Sequence, residues 1–483
     1  MNWKNFKNQD WIITILVLIL QLIGLIALYS TTISYGKLNY SDNMVLKQAI
    51  FIILGFVIYY LILFVDFNWL KQPGILALIY IPILISLIYV KLFGLETRNV
   101  IRWIDFGFFK FQPSEFAKIV LILITAATFS LNNKVINNKN KQIFFLKTLS
   151  TIKLLKPLML VIENFRKSFP LIEKYLINFL LIFPLIILTF IQPALGSALI
   201  IFGIWLILLL ITFSDLKTLF FLGINFIFAL IIIFLLFKFQ LQGKYLELSF
   251  HPTTFTISII VFIIIFFLTS IFYLRKAQIL SLLLCSVFSI SIIFGGTFIW
   301  NKKLLNYQRE RILNFVNVSE CDATDECFQV IKSQTALASG RVFGRGFLEG
   351  PLTSKRVLTQ ASTDFIFASI GEQFGFVGCL LILILFLVLI LRIVYIGQNA
   401  NSSYGTFVCL GIVTMLLIHL LINIGMNQGK LPVTGIPLPL ISYGGSSIFL
   451  NMISFGIIQS ISRSRRSIDI ADNLMLRSHS LTI

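Results

Sequence analysis

Apolar runs of roughly 17 to 25 residues, the length a helix needs to cross about 30 Å of hydrocarbon, recur along nearly the whole chain. About twelve can be read, with cores at 11–30, 49–65, 74–93, 115–131, 177–191, 197–213, 219–237, 256–274, 279–300, 365–396, 405–425 and 437–461. Backbone in lipid must satisfy its own hydrogen bonds, which confines such runs to helices unless a barrel closes. Hydrophobic residues make up 58% of the 483 and charged residues 12%, too little polar surface to cover the chain in water. The predicted fold class is all-α: a polytopic membrane helical bundle of about 10–12 transmembrane helices, forming one membrane domain with a large extracytoplasmic loop at 301–363.

Orientation follows from lysine and arginine, which favour short cytoplasmic loops. Segment 132–175 carries nine of them, from Lys134 to Lys174, against Glu163 and Glu173. It is therefore placed in the cytoplasm, with 132–142 as a loose loop and 151–171 as a candidate interfacial helix. Counting helices outward puts both termini in the cytoplasm and the loops 95–111 and 301–363 outside. The first helix is too long, and its start too polar, for a cleaved signal peptide. Anionic inner-leaflet lipid accounts for the net charge of +19, so nucleic acid is not implied as a partner. Cys285, Cys379 and Cys409 read as small packing residues. Cys321 and Cys327 lie outside, where they could bridge or remain thiols.

Some charges oppose this topology. Arg98, Arg102 and Lys110 fall in one outside loop, and Lys332, Arg341, Arg345 and others in the larger one. An anionic ligand on that face would explain their retention, since Arg pairs with phosphate oxygens through two N–H groups; the other reading is a solvated loop partly neutralised by Glu310, Glu320, Asp322 and Glu349. Gly340, Gly344, Gly346 and Gly350 among these arginines could bring backbone amides to a phosphate or simply shape a loop. Asp364 is a lone carboxylate where a polar stretch meets an apolar helix, a position expensive to keep charged. It is the first candidate for chemistry, and an acid there could also cap the helix that follows. Glu115 and Lys118 are three apart on one helical face, as a structural ion pair or a substrate contact, behind Pro113 at a first helical turn. His419 reads as a hydrogen-bonded packing residue. Segment 430–447 holds three prolines and then two glycines in apolar sequence; broken backbone at membrane depth survives where it lines a cavity.

At these residues the chain resembles the SEDS family (shape, elongation, division, sporulation) of bacterial cell-wall proteins, and its RodA branch more closely than its FtsW branch. The resemblance is carried by Arg102-Trp103 with Gln112-Pro113-Ser114-Glu115, by Tyr307-Gln308-Arg309-Glu310-Arg311, and by Ser362-Thr363-Asp364-Phe365 with Gly371-Glu372-Gln373-Phe374-Gly375. Asn423-Ile424-Gly425-Met426 through Ser442-Tyr443-Gly444-Gly445-Ser446 completes it. Two departures stand out. Ala194 replaces an acid that the family usually has, and 219–274 reads as an extra transmembrane hairpin whose two helices leave the downstream sidedness unchanged.

The resemblance implies a peptidoglycan glycosyltransferase of the bacterial plasma (inner) membrane, an inverting polymerase of lipid II acting at the outer face during cell elongation and shape maintenance. Asp364 would be the catalytic base. Arg98, Arg102, Trp103, Gln112, Glu115, Lys118, Lys332, Arg341, Ser442 and Tyr443 would bind substrate. A divalent cation, Mg2+ or Mn2+, could neutralise the departing diphosphate, with no organic cofactor and no ligand set identified. Implied partners are lipid II, the undecaprenyl-linked glycan, a class B penicillin-binding protein transpeptidase and elongation-complex membrane proteins. A lipid II flippase, or a scaffold for a transpeptidase, would use the same intramembrane charges differently.

Overall fold

The computed structural model describes residues 9–32, 42–97, 100–107, 109–130, 170–192, 194–212, 326–355, 357–358 and 360–480. The chain divides into two compact units, 1–208 with 317–483, and 209–316. The described residues fall almost wholly in the first. The expected hairpin at 219–274, the run at 279–300, the basic loop and interfacial helix before 170, and Cys321 lie outside them.

The first unit is a helical bundle. Its elements are α1 (Trp11–Thr32), α2 (Asp42–Phe64), α3 (Pro73–Phe93), strands β1 (Leu95–Thr97), β2 (Val100–Asp105) and β3 (Lys110–Phe111), then α4 (Pro113–Phe129), α5 (Pro170–Ile191) and α6 (Leu195–Thr212). After the undescribed stretch come α7 (Glu326–Ser339), α8 (Pro351–Ser354), α9 (Ile366–Gln398), α10 (Ser403–Asn427) and α11 (Gly445–Ser480). Six helices among the described residues are long and apolar enough to cross a membrane. Their outward faces stay apolar: Trp11, Ile15 and Ile26 on α1, Ile53 and Leu61 on α2, and Leu381 and Leu391 on α9 are exposed. Only lipid covers such a girdle without cost, and the chain is a multi-pass membrane protein.

Chain neighbours are not always spatial neighbours. The first helix packs on α9, α2 on α11, α10 on both α9 and α4, and α4 on α5. Prolines at the first position start α3 and α4, where a missing N–H breaks no helical bond. The helix α9 changes course at Gly375, whose φ of 66° and ψ of −162° belong to a region that is essentially glycine's alone.

Three expectations are corrected. Segment 95–111, read as a loop, folds into an antiparallel sheet of order β1-β2-β3, with Glu96 opposite Ile101 and Ile104 opposite Phe111. The alternating β-branched and aromatic residues of Val100-Ile101-Arg102-Trp103-Ile104 suit a pleated ribbon. Asp105 Oδ1 accepts from Gly107 N–H at 2.7 Å to turn the chain back. The last helix begins at Gly445 rather than 437, and residues 428–444 are largely irregular, with positive φ at Gly429, Gly435 and Leu440. Finally, the polar stretch before Asp364 forms α7 and α8 rather than open loop from residue 326 onward.

Candidate active site

A cavity of about 360 Å³ opens where the sheet, the first turns of α4 and the irregular segment 428–444 converge. Its lining includes Asp364, Arg102, Trp103, Gln112, Glu115, Lys118 and Tyr443, seven of the residues selected from sequence. It adds Lys47 from α2, Ser197 from α6, and Thr434, Gly435, Ile436 and Pro437. Broken backbone thus borders a polar hollow, as its composition requires.

Asp364 is positioned through its main chain. Its carbonyl oxygen accepts from Asn423 Nδ2 and Asn427 Nδ2, both at 3.0 Å. Asn423 also donates to Ile436 O at 2.8 Å, and Asn427 Oδ1 accepts from Ala368 N–H at 3.1 Å. Two asparagines one turn apart on α10 therefore join the acidic segment, the irregular segment and the start of α9. A small apolar core of Ala336, Leu358, Ala361, Phe365, Ala368 and Val433 packs the same region. The N-cap residue of α9 is Phe365, one position beyond the acid, and its side chain makes no capping bond. The Asp364 side chain is half-buried at the cavity wall, with Oδ2 at 3.7 Å from where a Cβ on Gly435 would stand.

The opposite wall is tied down as firmly. Ser442 Oγ donates to Thr363 O at 2.6 Å and accepts from Leu438 N–H at 2.8 Å, so Ser442 shapes the wall from behind rather than lining it. Tyr443 N–H donates to Ser362 O at 3.0 Å, and Gln48 bonds both Ser442 O and Gly444 N–H. Burial raises the pKa of the Tyr443 hydroxyl, which keeps it a neutral donor and acceptor. Ser446 Oγ donates to Lys110 O at 2.9 Å and accepts from Gln112 N–H at 3.1 Å, joining α11 to the start of α4.

Glu115, Lys118 and His419 form a buried triad. Lys118 Nζ lies 2.7 Å from Glu115 Oε1 and 2.9 Å from His419 Nε2, and Lys118 and Glu115 are 1% and 5% exposed. His419 Nδ1 is 2.7 Å from Met415 O. A carbonyl only accepts, so Nδ1 carries the proton and Nε2 accepts from the lysine. The histidine is hydrogen-bonded, as read from sequence, and it reaches the cavity only through Lys118, which lines it.

Other selected residues lie elsewhere. Lys332 Nζ donates to Val357 O at 3.3 Å and sits over the Phe328 ring, and Arg341 is exposed with φ 49°; neither lines the cavity. Arg98 lies outside the described residues. The glycines beside Arg341 shape a loop: Arg345 and Gly346 N–H donate to Glu372 O and Gln373 O at 2.9 and 3.1 Å. A Cβ on Gly344 would strike the Gln373 backbone. Glu372, buried, accepts from Leu352 and Thr353 N–H at 2.8 Å and so anchors α8. Ala194 is buried without a carboxylate at that position, and Cys379 and Cys409 are buried free thiols. Sequence reasoning gave no site role to Lys47, Ser197, Thr434, Asn423 or Asn427. The asparagines had a signal: two amides four apart in an apolar helix share one face and need partners there.

Fold and site together define a polytopic membrane protein with a charged, half-enclosed cavity at one end of its bundle. The FtsW/RodA/SpoVE profile, described as cell cycle protein, matches residues 10–250 and 251–467, and the chain belongs to that family. Peptidoglycan glycosyltransferase RodA of Treponema pallidum (strain Nichols) is 28% identical over 469 residues, covering 95% of this chain and 99% of the relative. Peptidoglycan glycosyltransferase MrdB of Escherichia coli (strain K12) is 27% identical over 391 residues, covering 80% and 78%. A solved structure titled "Structural coordination of polymerization and crosslinking by a peptidoglycan synthase complex" shares the fold with TM-score 0.61 and 20% identity, over 95% of this chain and 98% of that one.

Proposed function

We propose that this protein is a peptidoglycan glycosyltransferase that polymerises lipid II at the outer face of the bacterial plasma membrane. The observation that carries the reading is the half-buried carboxylate of Asp364, sharing one cavity with Arg102, Lys47 and Lys110, while the cavity's other carboxylate, Glu115, is paired with Lys118. That pairing suits a transfer in which a hydroxyl loses a proton while a diphosphate departs. Asp364 accepts the proton of the acceptor sugar's 4-hydroxyl as that oxygen attacks the anomeric carbon of the growing chain. The C–O bond to the diphosphate breaks, and undecaprenyl diphosphate leaves with its electron pair against the cationic side chains. An α-linked diphosphate becomes a β-linked glycan, so one displacement with one base is sufficient.

Sidedness supports the reading. With 132–175 in the cytoplasm, every lining segment falls on an outside connection or at the outer end of a helix, and both termini are cytoplasmic. Among the described residues no three His, Cys, Asp or Glu converge, and Glu115 is committed to Lys118. Mg2+ commonly takes one or two carboxylates along with substrate phosphates and water. A divalent cation would therefore be held by Asp364 and the diphosphate, and would supply charge neutralisation of the leaving group. A class B penicillin-binding protein transpeptidase is the proposed partner, supported by the fold shared with a chain of a peptidoglycan synthase complex.

The test uses purified protein with its cognate transpeptidase, lipid II and Mg2+. Wild type should form glycan polymer and Asp364→Asn at least about 100-fold less, the scale of a lost general base, with thermal stability unchanged. Equal polymer from both removes Asp364 from the chemistry; lipid II translocation in vesicles without polymer turns the assignment to a flippase.

A further inference from the structure

The inner wall of the cavity differs chemically from its rim. At the rim, Lys110 is exposed and Lys47 and Arg102 half-buried. Along α4, Glu115 and Lys118 lie in the first and second turns and are nearly sealed, and their charges cancel. Three hydrogen-bonding positions on that wall remain open. Glu115 Oε2 is buried and without a hydrogen-bond partner among the described residues, as is Thr434 Oγ1. Lys118 has three N–H groups, and Glu115 and His419 take two of them.

A buried carboxylate oxygen needs a donor. Diphosphate oxygens at neutral pH only accept, so they would leave that oxygen without a donor. What fits is a neutral group offering both donors and acceptors, such as a sugar hydroxyl or an acetamido N–H with its carbonyl. We propose that Glu115 Oε2, Thr434 Oγ1 and the remaining Lys118 N–H form a saccharide subsite, distinct from the cationic rim that receives the diphosphate. His419 is a positioning residue: its Nε2 lone pair, fixed by the Nδ1–H bond to Met415 O, sets the direction of the lysine ammonium. The subsite rests on the glycosyltransferase reading for the identity of the sugar, which is an N-acetylhexosamine of the substrate.

The experiment separates the two halves of the substrate. Full-length protein in nanodiscs is titrated with the methyl glycoside of the N-acetylglucosaminyl-N-acetylmuramyl disaccharide and, separately, with undecaprenyl diphosphate, both followed by ligand-observed NMR. Glu115→Gln should weaken disaccharide binding about tenfold and Thr434→Val about fivefold, the scale of a lost charged and a lost neutral hydrogen bond. Undecaprenyl diphosphate affinity should stay within about twofold for both variants, while Arg102→Ala should show the reverse pattern. His419→Gln, which keeps an acceptor at the ε position, should retain most disaccharide binding, and His419→Leu should lose it to the extent of Glu115→Gln. Should Glu115→Gln fail to fold, Thr434→Val carries the test, since it removes one hydroxyl at constant shape. Unchanged disaccharide binding in Thr434→Val and in any folded Glu115→Gln overturns the subsite, as does an equal loss of diphosphate binding. Polymer formation by wild type is scored in parallel: its absence with disaccharide binding intact defeats the glycosyltransferase reading and leaves the subsite standing.

Discussion

Two amides from α10 grip the carbonyl of Asp364, so the acid's place in the cavity depends on residues that never touch substrate. Asn427 carries most of this, bonding Asp364 O and Asn423 O as donor and accepting from Ala368 N–H and Ser333 Oγ. Asn427→Leu would leave a buried N–H and a buried carbonyl short of partners, at about 2–3 kcal/mol. Thermal unfolding should shift down accordingly, and the polymerisation kcat should fall more than KM rises, since the displaced group acts in the transition state. A variant that loses stability but keeps kcat would show the asparagine to be structural alone. Several charged residues of the site were legible in the sequence: Asp364, Glu115 and Lys118 because hydrocarbon makes charge costly, and Arg102 because it opposes the usual placement of positive charge; Lys47, at the start of an ordinary apolar helix, was not. Asn423, Asn427 and Thr434 were not, because neutral polar groups at membrane depth find partners cheaply and leave a weaker mark. Lys332 and Arg341 illustrate the converse: a charge in a connecting segment does not reveal whether it reaches the cavity, and neither of these does.

At the scale of elements, hydropathy located α1 to α6, α9 and α10 with their ends within about seven residues, since length and composition are what the bilayer selects; it did not find α7 and α8, which are shorter and more polar. It misplaced the start of α11, because Pro437, Leu438, Pro439 and Leu440 are as apolar as a helix while their backbone is not helical. It missed the sheet, whose strands are only 2 to 6 residues long and lie in a segment conspicuous for its charges. Gly375 was visible only as part of a motif, although α9 depends on its conformation: a Cβ there would strike Gly344 N and Val342 O. Gly375→Ala should therefore destabilise the protein by about 3 kcal/mol or more. Gly74→Ala, where a Cβ meets nothing within 4 Å, should be neutral or stabilise by up to about 1 kcal/mol. Thermal denaturation in a single detergent distinguishes the pair; equal shifts would mean that the kink relaxes without cost.

Across the whole molecule, the beginning of the described chain is bolted to its end. Asp10, buried, pairs with Arg392 of α9 at 2.7 Å, its N–H donates to Gln459 Oε1, and Gln459 Nε2 donates to Asp10 O, both at 2.8 Å. Arg392→Leu would remove the carboxylate's ion-pair partner and cost about 3 kcal/mol, whereas Asp10→Asn combined with Arg392→Leu should recover much of it. A thermal-shift double-mutant cycle reads the difference, and strictly additive losses would count against the pair as a unit. The same bond pattern sets a timetable. Asp10 and Gln459 are 449 residues apart, so at 5–20 residues per second roughly 20 to 90 s separate their emergence from the ribosome. During that interval α1 and α2 sit in the membrane without α9 and α11, their eventual neighbours, and the buried acid has no cation to meet. Biogenesis of this protein therefore includes a waiting period in which its earliest helices depend on lipid or on insertion factors for cover, and anything that slows late translation prolongs it.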